Sequence, residues 1–164
     1  MTQEAKAYKI NLESFSTTIE TAFVSRIIFD IDSSPTFDIK NIPFDFDYCN
    51  SVSLITNKGN FQIGTSITSE SIDGLWVFSL QEIDQSKKHI SVNSKIKNIA
   101  IELGLGGLPF KMAITFETKN LLLYSGEIYD KSNGGFDYKI NDEMILAFNE
   151  EKQAAIFENL VNYG

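Results

Sequence analysis

The sequence predicts a mostly β domain, all-β or α+β with little helix: an antiparallel barrel or orthogonal roll of about seven to nine strands, closed by one C-terminal amphipathic helix. Three observations carry this expectation. Apolar residues recur at every second position through most of the chain, the period of a half-buried strand. Clusters of Gly, Asn and Ser separate the alternating runs, as hairpin turns require. Aromatics make up 12% of the residues, 13 Phe among them, and Phe packs well on a pleated surface.

Near the N-terminus Tyr8, Ile10 and Leu12 alternate with Lys9, Asn11 and Glu13, which reads as a first strand. Phe23, Ser25, Ile27, Phe29 and Ile31 share the parity of a second, whose other face is half apolar and so argues for a central position. Positions 32–48 hold Pro35 and Pro43 and read as an edge strand or a long structured loop, with room for a short strand around 37–40. Val52, Leu54 and Thr56 lead through Asn57-Lys58-Gly59-Asn60 into Phe61, Ile63, Thr65 and Ile67, a hairpin pattern. A turn near 70–74 precedes Leu75-Trp76-Val77-Phe78-Ser79-Leu80, apolar on both faces and therefore expected to be central.

The inward parity changes between Ile96 and Ile99, so a bulge or break belongs near Lys97-Asn98. Phe110, Met112, Ile114 and Phe116, against Lys111, Ala113, Thr115 and Glu117, form the cleanest alternation and predict a buried face. Further strands follow over 121–129 and from Phe136 to near Phe148. The helix is predicted over 149–162, with Asn149 as N-cap, Glu150 and Glu151 at the positive end of the dipole, and an apolar stripe of Ile156, Phe157, Leu160 and Val161. No repeat or linker divides the chain, which predicts one domain over 1–164.

The formal net charge of −8 opposes phosphate backbones and anionic membranes, so nucleic acid and acidic lipid are not expected partners; the charge either serves solubility alone or offers a docking surface to another protein, a basic one. A lone cysteine, Cys49, excludes an internal disulfide. With no signal-peptide pattern and no apolar run of membrane-spanning length, the expectation is a cytoplasmic protein. No spacing suggests a metal or a cofactor, and self-association is left open.

Several short motifs bear on chemistry. Ile27-Ile28-Phe29-Asp30-Ile31-Asp32 resembles the strand-then-DxDx(T/V) signature of the haloacid dehalogenase phosphatases. That resemblance implies Asp30 as nucleophile, Asp32 as general acid and magnesium between them. It departs at Ser34, and the family's parallel sheet with crossover helices conflicts with the alternating strands that follow here. Gly104-Leu105-Gly106-Gly107 lacks GxGxxG spacing and reads as a tight inter-strand loop. Gly74-Leu75-Trp76 is similar to the GxW of lipocalins, although theirs lies on the first strand; Trp76 is read as a core or hairpin residue. His89 is read as a loop residue and Cys49 as a structural thiol.

The order of strands and one terminal helix resembles the pleckstrin-homology superfold, in which the helix plugs one end of the barrel. For function the expectation is a non-catalytic protein-interaction module, an acidic protein that neutralises or scaffolds a basic partner as bacterial immunity proteins do. The alternative is a carrier for a small apolar ligand held in the barrel. A third reading is the magnesium-dependent phosphatase on Asp30 and Asp32. The candidate docking surface is the segment carrying Phe37, Asp38, Phe44, Asp45, Phe46 and Asp47, with Tyr48 beside it, where aromatics would supply buried area and acids steering.

Overall fold

A computed structural model describes residues 2–32, 40, 42–131 and 134–161. Eight strands, β1 (Phe23–Ile31), β2 (Asp47–Thr56), β3 (Gly59–Ile67), β4 (Asp73–Leu80), β5 (Lys88–Leu103), β6 (Pro109–Phe116), β7 (Asn120–Asp130) and β8 (Phe136–Phe148), lie between helices α1 (Gln3–Ile19) and α2 (Glu151–Leu160). They form one antiparallel sheet in the order β1-β5-β6-β7-β8-β2-β3-β4, and β1 also pairs with β2. That extra pairing closes a ring of six strands. Closure is feasible because β2 divides one edge: residues 47–49 pair with β8 and residues 52–56 with β3. The β3–β4 hairpin therefore hangs on the ring, and among the described residues β4 pairs with β3 alone.

Two cores follow from the strand alternation. Inside the barrel, Ile27, Phe29, Val52, Leu54, Met112, Ile114, Leu121 and Leu123 pack with Leu12, Phe15 and Ile19 of α1. On the outer face, Leu122, Tyr124, Leu146 and Phe148 pack under Ala154 and Phe157 of α2, with Phe44 among them. Leu121 and Leu123 thus point in while Leu122 and Tyr124 point out, the two faces of one strand.

Several expectations hold. Met112, Ile114 and Phe116 are buried in the barrel interior as the alternation predicts, whereas Phe110, past a register shift between β5 and β6, is buried on the other side in the outer core. Glu117 is exposed, while Lys111 and Thr115 are half-buried. The register shift in β5 falls between Ile96 and Asn98, where the parity change placed it. The β2–β3 turn is Asn57-Lys58, and Gly59 has a φ of 125° that disfavours a side chain. β1 is central, paired on both edges.

Four expectations are corrected. The N-terminal segment is a 17-residue helix, not a strand, with the Thr2 hydroxyl accepting from the Ala5 N–H as its cap. Its buried residues, Ala5, Tyr8, Leu12, Phe15 and Ile19, are spaced 3-4-3-4, the helical period, whereas Ile10 is 67% exposed. In β1 a register shift between Val24 and Arg26 turns Val24 inward and leaves Phe23 exposed. β4 is an edge strand rather than a central one; its second apolar face is met by α1, where Tyr8 contacts Trp76 edge-on at 5.1 Å. Helix α2 begins at Glu151, its N-cap Glu150 makes no side-chain capping bond, and Asn149 instead accepts from Lys119 Nζ at 3.0 Å. Its inner face runs through Ala154, Phe157, Glu158 and Val161, so Ile156 and Leu160 stay exposed.

Candidate interaction site

Helix α1 crosses the molecule between two strand edges, and the sequence gives it different means of meeting each. Towards β4 it has Asn11, whose side-chain amide donates to the Val77 carbonyl at 2.9 Å and accepts from the Val77 N–H at 2.8 Å. One amide thus pairs both main-chain groups of Val77, as a neighbouring strand would at that position. Tyr8 donates its hydroxyl to the Ser66 carbonyl. Glu4 accepts from the Ser69 N–H at 3.0 Å and hydroxyl at 2.6 Å, and these bonds hold its carboxyl below the usual range. Gly74 leaves space for Tyr8: a Cβ there would lie 2.9 Å from the ring.

Towards β5 no such connection is made among the described residues. Strand β5 has 16 residues and its neighbour β1 only nine, and their pairing stops at Lys95. Residues 98–103 pair with β6 on one edge, and among the described residues no strand pairs with the other. The direction of each backbone group follows from neighbouring bonds. The Glu117 N–H donates to Lys95, Gly104 to Leu108, Phe116 to Lys119 across the β6–β7 turn, and Ile96 to Ala22. By alternation Asn98, Ala100 and Glu102 face β6, and Ile99, Ile101 and Leu103 turn their N–H and C=O groups outward. No backbone bond joins α1 to these three among the described residues.

The space between is a groove of about 530 Å³, walled by Ala5, Lys9, Leu12, Glu13, Ser16 and Thr17 of α1 and by Ile101, Leu103, Gly107 and Pro109. A second hollow of about 200 Å³ continues it past Ile99, Asn98 and Lys97 to Ile96 and Glu20, sharing Ser16 and Thr17. Leu103, at the rim, is 56% exposed. Asn141, buried with a φ of 58°, fixes the far wall: its amide donates to the Asp73 and Leu108 carbonyls and accepts from the Leu105 N–H. The groove is floored by apolar side chains and edged by main-chain groups without a backbone partner among the described residues, a combination suited to an extended peptide.

The segment expected to dock a partner is arranged differently. Phe37 and Asp38 lie outside the described residues. Phe44 and Tyr48 are buried and Phe46 half-buried, with the Phe44 ring against Phe136, Phe148 and Phe157 at 5.3 to 5.8 Å. Asp47 is ion-paired to Lys88 at 2.9 Å. Asp45 is exposed, and its N–H donates to the Gln153 side chain at 2.8 Å. Asp45, Phe46 and Asp47 do meet, around a shallow hollow of about 160 Å³ with Lys88 and Gln153. The rings that would supply contact area largely serve the outer core.

Asp30 sits on β1, antiparallel to both its neighbours, and is ion-paired to Lys87 at 3.0 Å; the parallel sheet implied by the phosphatase resemblance is not this fold. Cys49 is fully buried, and burial pushes its thiol far up. His89 is exposed near the start of β5. Among the described residues no three His, Cys, Asp or Glu side chains are placed to hold a metal ion, and no helix is long and apolar enough to cross a membrane.

Fold and groove together define a closed antiparallel barrel whose N-terminal helix lies along a strand edge that is unpaired among the described residues. No family model, curated protein or solved structure matches the chain.

Sequence reasoning missed the groove because its walls lie some 90 positions apart. The available signals were the 3-4-3-4 spacing of α1 behind a Thr cap and the length of the alternating run in β5.

Proposed function

We propose that this chain is a non-catalytic, cytoplasmic protein-interaction module that receives a basic partner in the groove between α1 and β5. The observation that carries the reading is that groove, an apolar cleft beside a strand edge whose hydrogen-bonding groups have no partner strand among the described residues. The net charge of −8 supports a basic partner, since a field of that sign speeds encounter with cationic surfaces. A protein that neutralises or scaffolds its partner needs no more chemistry than this. The apolar-ligand alternative has less support, because side chains occupy the barrel interior where that ligand would sit. The magnesium-dependent phosphatase has less still, with Asp30 held by Lys87.

A photo-cross-linking residue at Leu103 tests the reading. It is expected to capture a basic protein in cells, whereas the same probe at Leu160, exposed on α2, is not. Equal capture at both positions, or none at Leu103, would count against the groove.

A further inference from the structure

The geometry points to β-strand addition: a single extended segment, apolar at alternate positions and carrying Lys or Arg between them, pairs with residues 98–103 of β5 beneath α1. This rests on the reading of the chain as a protein-interaction module and specifies what the groove takes.

The backbone of Ile99, Ile101 and Leu103 dictates the form of the occupant. These residues offer N–H and C=O groups at every second position, which only a neighbouring strand matches in spacing. Six residues of edge are about 20 Å long, enough for a strand of similar length.

The groove dictates the occupant's side chains. In an added strand, alternate side chains face opposite sides. One set would enter the cleft against Leu12, Ile101 and Pro109, so it must be apolar. The other would face water over a protein of charge −8, where Lys or Arg are favoured.

The position of α1 argues against a second copy pairing edge to edge. Each copy would bring its own helix alongside the same strand, and the two helices would occupy the space the partner strand needs. A terminal tail or linker, free of flanking structure, meets no such obstacle.

The test is to pan phage-displayed random dodecapeptides on the full chain, then to measure synthetic copies of the winners by fluorescence anisotropy. Enriched peptides are expected to show the alternating pattern and to bind more weakly as salt is raised. Backbone N-methylation in one register, removing the donors that face β5, should weaken binding about tenfold or more. In the other register it should change little. Ile101→Pro, which deletes an outward N–H but no bond to β6, should weaken the same peptides; the N-methylated pairs give the same readout on the unaltered protein should that variant misfold. Absence of any enriched peptide overturns the proposal. So does binding that ignores N-methylation in both registers. If capture from Leu103 persists in either case, the interaction reading stands and only strand addition falls.

Discussion

Helix α1 and helix α2 both cover the sheet, but α1 lies along strand edges and α2 lies on a strand face. The face offers α2 a continuous apolar floor, and Phe157 sinks fully into it among Phe44, Tyr124, Tyr138 and Phe148. Polar groups at its margin then close the contact. Glu158 accepts from Lys111 at 2.6 Å and from the Tyr124 hydroxyl, and Lys111 reaches Glu102 at 3.0 Å. An edge offers main-chain groups instead of a floor. Helix α1 meets those of β4 at Val77 through Asn11, and among the described residues makes no backbone bond to Ile99, Ile101 or Leu103 of β5. A helix on a face seals it, whereas a helix beside an edge seals only what its polar side chains reach, and the remainder is available for binding.

The largest effect belongs to the most buried point of the α2 contact. Phe157→Ala should cost on the order of 3–5 kcal/mol in urea unfolding, the range for a large ring removed from a core. A cost below about 1 kcal/mol would mean that α2 is not seated on the outer core as described.

Next comes the contact of α1 with the edge of β4 at Val77. Asn11→Ala leaves both groups of Val77 without their partner and should cost about 1–3 kcal/mol. It should also raise amide exchange at Val77 more than at Val52 in the barrel interior. Exchange unchanged at Val77 would show that Asn11 does not close that edge.

A smaller effect belongs to the margin of α2. Burial raises the Glu158 carboxyl, but bonds from Lys111 and Tyr124 outweigh it and leave the group below its ordinary value. A carboxyl lowered on folding favours the folded state above its unfolded pKa of about 4.3, and that advantage fades as pH falls through the folded value. Glu158→Gln should therefore lose under about 1 kcal/mol at neutral pH, with the gap to the parent narrowing below about pH 4. A gap that widens in acid would reverse the assigned sign.

The smallest change is expected at Ile10, on the solvent side of α1. Ile10→Lys should alter stability by no more than about 0.5 kcal/mol, because the side chain is exposed. A loss several times larger would indicate that this face is covered, and would undo the contrast between the helix's two sides.

Much of the β architecture is legible in the sequence because each strand carries its own alternation. Met112 and Ile114 face inward for reasons contained in their own octet, and the bulge after Ile96 shows as a change of parity. Hairpin turns such as Asn57-Lys58-Gly59 are equally local. By contrast, Tyr8, Ile10 and Leu12 fit a strand as well as one side of a helix over five residues. Only the longer series to Ile19, read over about four turns, separates the two. The aromatics near Asp45 present the same ambiguity: alternation says that one set is buried, and packing against α2 makes it the rings.

What the sequence determined by itself was the local conformation: extended runs, their turns and the parity of their faces, since these depend on the order of neighbouring residues. Which strands pair, where β5 outruns β1, and where α1 comes to lie were decided by tertiary structure. Those features depend on burying apolar faces contributed by segments far apart in the chain. The groove is one of them. Leu12 and Ile101 become its walls only after the barrel has closed, because no local signal joins residues separated by so much chain.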